Sequence, residues 1–193
     1  MNSPVSLTEA ASTLLPIARA SIAGQLGKIH AADESAPWLR VQGASFITLN
    51  LAKKLRGCIG SLQAHRPLLD DVRANALAAA FKDPRFKPLT AAEYENIEVE
   101  ISLLSALSAL SFTDEASALA QLKPQVHGLI FEYGHHRSTF LPQVWDTVAD
   151  PVMFIAHLKQ KAGLPPNFWE PGVKLHTYTV AKFSESQQPK AGV

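Results

Sequence analysis

A chain of 193 residues, 47% apolar and 18% charged, is large enough to bury a core without a metal or a disulfide to hold it. A net charge of +1, with no run of Lys and Arg, argues against a nucleic-acid track. A single cysteine excludes an internal disulfide, and the seven scattered histidines lack the short ligand spacings of a structural zinc.

Met1 to Ala20 lacks the basic segment and apolar core of a signal peptide. No apolar run approaches the roughly 20 residues that span a bilayer. A cytoplasmic protein without membrane contact is therefore expected.

Thr8 to Leu26 reads as an amphipathic helix, with Ala11, Leu14, Leu15, Ala18, Ile22 and Leu26 at helical spacing. Pro16 inside it either kinks the helix or starts it at a first-turn position. Ala31 to Pro37 is a polar connector. Ser45 to Leu49 and Leu55 to Ile59 read as paired strands joined through Leu51 to Lys54. Pro67 opens a second helix whose apolar stripe is Leu68, Leu69, Val72, Ala76, Ala79 and Ala80. Pro84 disfavours helix at Asp83 and ends it. Thr90 and Glu93 make a capping box for a short helix. From Ile97 to Leu104 the chain alternates, with Ile97, Val99, Ile101 and Leu103 on one face and Glu98, Glu100 and Ser102 on the other. That pattern predicts a half-buried antiparallel strand.

Asp114 to Leu122 reads as a short helix. His127 to Tyr133 and Arg137 to Leu141 form a second hairpin around Gly134-His135-His136. Asp150 caps a further helix with Pro151 at its first position, Phe154, Ile155 and Leu158 as its stripe, and Gly163 as its stop. Val173 to Phe183 reads as one final strand, and the polar chain from Ser184 is expected to fray. Paired strands with interspersed helices, and no βαβ rhythm, predict an α+β fold with antiparallel sheets. Neither a GxGxxG fingerprint nor a P-loop is present, so no nucleotide site of those types is expected, and no cofactor or metal is assigned.

The chemistry concentrates in Leu55-Arg56-Gly57-Cys58-Ile59-Gly60. A cysteine attacks as thiolate, and a nearby cation raises the thiolate fraction. On a regular strand Arg56 and Cys58 share a face about 7 Å apart, within reach of an arginine that folds back. Arg56 is alternatively an anchor for a substrate carboxylate or phosphate. Gly57 and Gly60 admit unusual dihedrals, through which N–H groups could converge on an anion. Gly57 within a strand also marks a bulge or a close approach to the backbone. The competing reading is plain packing, because a lone cysteine in an apolar strand most often behaves as a small hydrophobe. His127 is the first candidate base and His65 the second, while His135 and His136 at a hairpin tip are better read as solvated turn residues. Arg85 is a candidate second anion-binding cation or half of a local ion pair with Asp83. Glu98 and Glu100 are paired carboxylates suited to acid–base work or to binding a metal, or simply the wet face of a sheet.

The hexapeptide resembles the signature of the AmmeMemoRadiSam system protein A family, whose human member is named for a chromosomal region linked to Alport syndrome, midface hypoplasia and elliptocytosis. Other segments follow in that family's order: Phe46-Ile47-Thr48-Leu49, Asp83-Pro84-Arg85-Phe86, Ile97-Glu98-Val99-Glu100-Ile101-Ser102, His127-Gly128-Leu129, Phe140-Leu141-Pro142-Gln143-Val144 and Lys161-Ala162-Gly163-Leu164. The likeness runs from about Leu14 to about Glu185, and Gly134-His135-His136-Arg137 is more basic than the pattern leads one to expect. The resemblance implies one domain over residues 8–186, made of a larger and a smaller lobe with a cleft between them, and a polar tail over 187–193. It also implies a pathway shared with a Memo-like protein and a radical SAM protein. Two functions are expected to compete. One is a cytosolic enzyme with Cys58, Arg56 and His127 as its catalytic groups and Gly57, Gly60, Arg85 and Glu100 around an anionic small molecule or peptide. The other is a non-catalytic binding or scaffold protein for those two partners.

Overall fold

A computed structural model of the chain describes residues 5–187, so residues 188–193 of the expected polar tail lie outside the described residues. In chain order the elements are α1 (Leu7–Gln25), β1 (Gln42–Gly43), β2 (Ser45–Leu51), β3 (Lys54–Gly60), β4 (Arg66–Pro67), α2 (Leu68–Phe81), α3 (Ala91–Tyr94) and β5 (Ile97–Leu104). Then come β6 (Ser108–Ala109), α4 (Glu115–Leu119), β7 (Gly128–Tyr133), β8 (His136–Phe140), α5 (Pro151–Lys161), β9 (Lys174–Tyr178) and β10 (Val180–Ser184). The class is α+β with antiparallel pairing, as the sequence predicts. The described chain divides into two compact units, one running to Leu104 and resuming at Ala181, the other covering Ser105–Val180.

The first unit is built on a sheet of order β10-β5-β2-β3. Its register sets Ile47 opposite Ile101 and Leu49 opposite Val99, so every apolar side chain of the alternating pattern reaches one face. On that face Leu14, Ile17, Ala18 and Ile22 of α1 and Val72, Ala76 and Ala79 of α2 close the core. Pro16 lies inside an unbroken α1, where Ser12 loses its usual helical donor. The β2–β3 turn is tighter than the predicted connection. Ala52 and Lys53 both hold positive φ, at 49° and 63°, which matches the strand twist of a two-residue hairpin. No Asn-Gly pair announces that turn, so the strands run further than the sequence indicates.

In the second unit the sheet order is β6-β9-β7-β8. Leu129, Phe131 and Leu175 pack on Phe154, Ile155 and Leu158 of α5. Trp145 stacks flat on Phe154 at 3.7 Å between ring centroids, and its indole N–H donates to the His127 carbonyl at 2.7 Å. Lys159 is fully buried beside this stripe. Its ammonium donates to Glu115 at 2.5 Å and to the Pro166 carbonyl at 3.3 Å, and it lies over the Trp169 ring.

Two sequence expectations are corrected. Val173 to Phe183 is not one strand. It breaks at Thr179, and β9 and β10 belong to different sheets. Apolar alternation continues across the break, so periodicity cannot reveal the change of sheet. The chain from Ser184 to Gln187 does not fray. Arg19 donates to both oxygens of Glu185 at 2.5 and 2.6 Å, and the Val99 N–H donates to it at 2.8 Å.

The buried ammonium of the second unit yields a test. Glu115→Ala should cost about 3 kcal/mol in urea unfolding, because it strands a buried charge, whereas Lys159→Met should be close to neutral.

Candidate functional site

The hexapeptide is β3, the edge strand of the first unit's sheet. Its two glycines are there for space. A Cβ on Gly57 would come 2.1 Å from the Ala79 carbonyl of α2, and one on Gly60 would come 2.2 Å from the Phe46 ring. Neither has the positive φ seen at Gly27, Gly134, Gly163 and Gly172. The close approach expected at Gly57 is therefore found, and so is a bulge. Asn50 pairs with Leu55 and Leu49 with Gly57, which leaves Arg56 without a partner on β2. The converging N–H groups suggested by the glycines are not formed, since Cys58 gives its N–H to a carboxylate of its own unit.

That carboxylate is Asp83, just past the end of α2. Its Oδ2 accepts the Cys58 N–H at 2.9 Å, and Arg85 donates to the Cys58 carbonyl at 3.1 Å. Arg85 also grips both oxygens of Asp83 through the Nε–Nη2 edge of its guanidinium, at 2.9 and 2.6 Å. The turn thus supplies one acceptor and one donor to the outer edge of β3, as a neighbouring strand would. Hydrogen bonds from Arg85 hold the Asp83 carboxyl far below the usual carboxylate range, although its burial opposes this. Asp83 in turn raises the pKa of Arg85.

Arg56 does not fold back over Cys58, because the strand is irregular where Arg56 sits. Its Nε and Nη2 donate to the two oxygens of Glu93 at 2.9 and 3.1 Å, and Nη2 also donates to the Lys87 carbonyl at 3.0 Å. Glu93 simultaneously completes the capping box with Thr90. Hydrogen bonding by Arg56, and next by the Thr90 N–H, lowers the Glu93 pKa to about 2. The Arg56 and Arg85 guanidiniums lie 5.7 and 5.5 Å from the centroid of the Phe86 ring.

The sheet face opposite the helices carries a polar row. Thr48 pairs with Cys58 on one side and with Glu100 on the other. The Thr48 hydroxyl donates to the Cys58 Sγ at 3.3 Å. Glu100 meets Lys182 at 2.8 Å. Thr48, Cys58 and Glu100 are all half-buried, and Phe46 and Ser102 extend the same face. Glu98, also on this face, accepts from both the N–H and the hydroxyl of Ser186.

Sequence reasoning missed a buried polar cluster beside Gly60. Asp71, fully buried in the first turns of α2, accepts from the Ser45 N–H and hydroxyl at 2.8 and 2.7 Å. It also accepts from Ser61, Arg66 and Asn75 at 2.6, 2.9 and 2.9 Å. Asn75 further donates to the Ser45 carbonyl. The one available signal was an Asp-x-x-x-Asn spacing at i, i+4 on a helix face that is otherwise apolar.

His127 belongs to the second unit and has a local task there. Its Nδ1 accepts the Lys123 N–H at 3.2 Å, and burial, then the Lys123 charge, lowers its pKa. His65 is exposed and contacts the Gln63 carbonyl. The structure therefore gathers Cys58, Arg56, Gly57, Gly60, Arg85 and Glu100 in one unit, but ties each charged member to a partner of opposite charge. Among the described residues no group of three His, Cys, Asp or Glu side chains is placed to hold a metal, and no helix is long and apolar enough to cross a membrane.

Comparison with known proteins adds a lineage. The AMMECR1 family model matches residues 15–183. A protein of Methanothermobacter thermautotrophicus is 34% identical over 90% of this chain and 93% of its own length. A protein of Methanocaldococcus jannaschii is 40% identical over 69% of this chain and 67% of its own. The crystal structure of an uncharacterized protein from Pyrococcus horikoshii superposes with a TM-score of 0.74 at 31% identity, covering 95% of both chains.

The Arg56–Glu93 pair predicts acid sensitivity. A carboxylate whose folded pKa is about 2, against an ordinary 4.5, contributes its full stability above pH 4.5 and loses it as pH falls towards 2. Glu93→Gln should lower the thermal midpoint at pH 7 and flatten its fall between pH 5 and 2. Parallel wild-type and variant melts measure the difference.

Proposed function

The chain belongs to the AMMECR1 family, and on that premise we propose that it is a binding protein that recognises its ligand or partner through the polar sheet face around Cys58. One observation carries this reading: the two arginines near the thiol are both committed to carboxylates of their own unit, Arg56 to Glu93 and Arg85 to Asp83. Each guanidinium gives its Nε–Nη2 edge to that carboxylate, and its Nη2 donates besides to a main-chain carbonyl, so the charge and the side-on fork of both are already engaged. Both arginines are better understood as braces for β3 and the turn after α2. The row that meets a ligand is Cys58, Thr48 and Glu100, a thiol, a hydroxyl and a carboxylate, and Glu100 is held by Lys182, an exposed lysine that a ligand's donor can displace. Such a set suits a polar peptide or small molecule with donors to offer. The Memo-like and radical SAM proteins implied by the family resemblance are the partners to test.

A second reading is favoured by one specific contact. The Thr48 hydroxyl points its donor at the Cys58 sulfur, and the Arg85 guanidinium donates to the carbonyl of the same residue. On this reading Cys58 acts as a nucleophile or redox group, with its sulfur held by Thr48 and its main chain by Arg85.

Cys58→Ser separates the two. On the binding reading it retains partner capture and complements a deletion strain, while Glu100→Gln and Thr48→Val each weaken capture about tenfold, the scale of one lost charge-assisted hydrogen bond. Iodoacetamide should alkylate wild-type Cys58 at pH 6–7 no faster than free cysteine. Fast alkylation together with loss of complementation by Cys58→Ser would establish the enzymatic reading instead.

A further inference from the structure

β3 ends its sheet, and the edge of an antiparallel sheet is an open template for another strand. This edge is only partly protected. Lys54 stands exposed at its start and the bulge at Arg56 interrupts its first half, but from Gly57 to Gly60 it carries neither a proline nor a charge. The protection of this second half is a pair of side chains. Asp83 accepts the outward N–H of Cys58, and Arg85 donates to the outward carbonyl of the same residue. Asp83 is 4% exposed, and its Oδ1 also accepts the Arg85 N–H at 3.1 Å, so the turn holds itself in the blocking position.

We propose that the Asp83–Arg85 turn is a guard against self-association, occupying at Cys58 the site where the β3 edge of a second copy would otherwise pair. The geometry names the register. An antiparallel pair formed through the N–H and carbonyl of Cys58 in each copy is a hydrogen-bonded pair, with the two Cα atoms about 5.5 Å apart. That separation falls inside the roughly 4.4–6.8 Å that a disulfide spans. Opening the guard therefore brings the two copies' only cysteines together, which converts a pairing event into a covalent record. The role is independent of whether Cys58 binds or reacts in the folded monomer.

The experiment uses the full chain with Asp83→Ala or Arg85→Ala, each with and without Cys58→Ser. Diamide is the oxidant. Two thiols lose two protons and two electrons to form the disulfide, and the azo group takes them up to become a hydrazine. Only the folded fraction from a sizing column is treated, and dimer is read on a non-reducing gel and by light scattering. Asp83→Ala should form disulfide-linked dimer at least ten times faster than wild type, and Cys58→Ser should abolish it. Arg85→Ala leaves the Cys58 N–H bonded to Asp83 and should give a smaller, several-fold gain. A folded Asp83→Ala protein that stays monomeric, or a wild type that links equally fast, overturns the proposal. Should Asp83→Ala fail to fold, Arg85→Ala decides, and no gain over wild type overturns it.

Discussion

The approach of helix α2 to strand β3 at Gly57 governs the first unit. A Cβ there would stand 2.1 Å from the Ala79 carbonyl, closer than any side chain survives. With hydrogen in its place, the helix lies directly on the strand. Its two ends then fall where polar side chains can reach the sheet. Near its start Asp71 and Asn75 bind Ser45 and Ser61 at the ends of β2 and β3. Just beyond its end Asp83 and Arg85 bind the main chain of Cys58. A larger residue at 57 would push the helix outward and loosen both attachments together, at a cost of about 1–3 kcal/mol for the overpacking alone.

Charge around the thiol is organised for rigidity. Arg56 closes onto Glu93, which caps α3, and Arg85 closes onto Asp83, which caps an edge. Each arginine therefore links a strand to the loop that follows α2. Such partly buried, bidentate pairs are stronger than exposed ion pairs because little water competes and the fork geometry is preorganised. The polar row of Cys58, Thr48 and Glu100 lies on the opposite face from these helices. Its side chains are positioned by sheet register rather than by loops, which suits a recognition surface that must keep its shape.

The second unit is stabilised by a separate core with its own logic. Trp145 against Phe154 supplies the large aromatic contact, and the buried Lys159 joins α4, α5 and the segment at Pro166 through one ammonium. His127 takes part in this scaffold through its carbonyl and its ring nitrogen. That gives it a structural reason to be where it is, independent of any part in chemistry.

The sequence by itself determined the class of fold and most elements, because periodicity and caps are local. Ile97 to Leu104 alternates as a strand must, and Thr90 and Asp150 each cap the helix that follows them. It also marked Gly57 as a place of close approach, since a strand glycine has few other uses. Three things only the tertiary structure decided. Which sheet each half of Val173 to Phe183 joins depends on neighbours far away in the chain. The Asp71 cluster depends on a helix face meeting two strand ends separated from it in sequence. The partners of Arg56 and Arg85 depend on a bulge and a turn whose exact path no local rule dictates. Hydrophobic pattern is written residue by residue. Electrostatic pairing is written in distances, which exist only once the chain has folded.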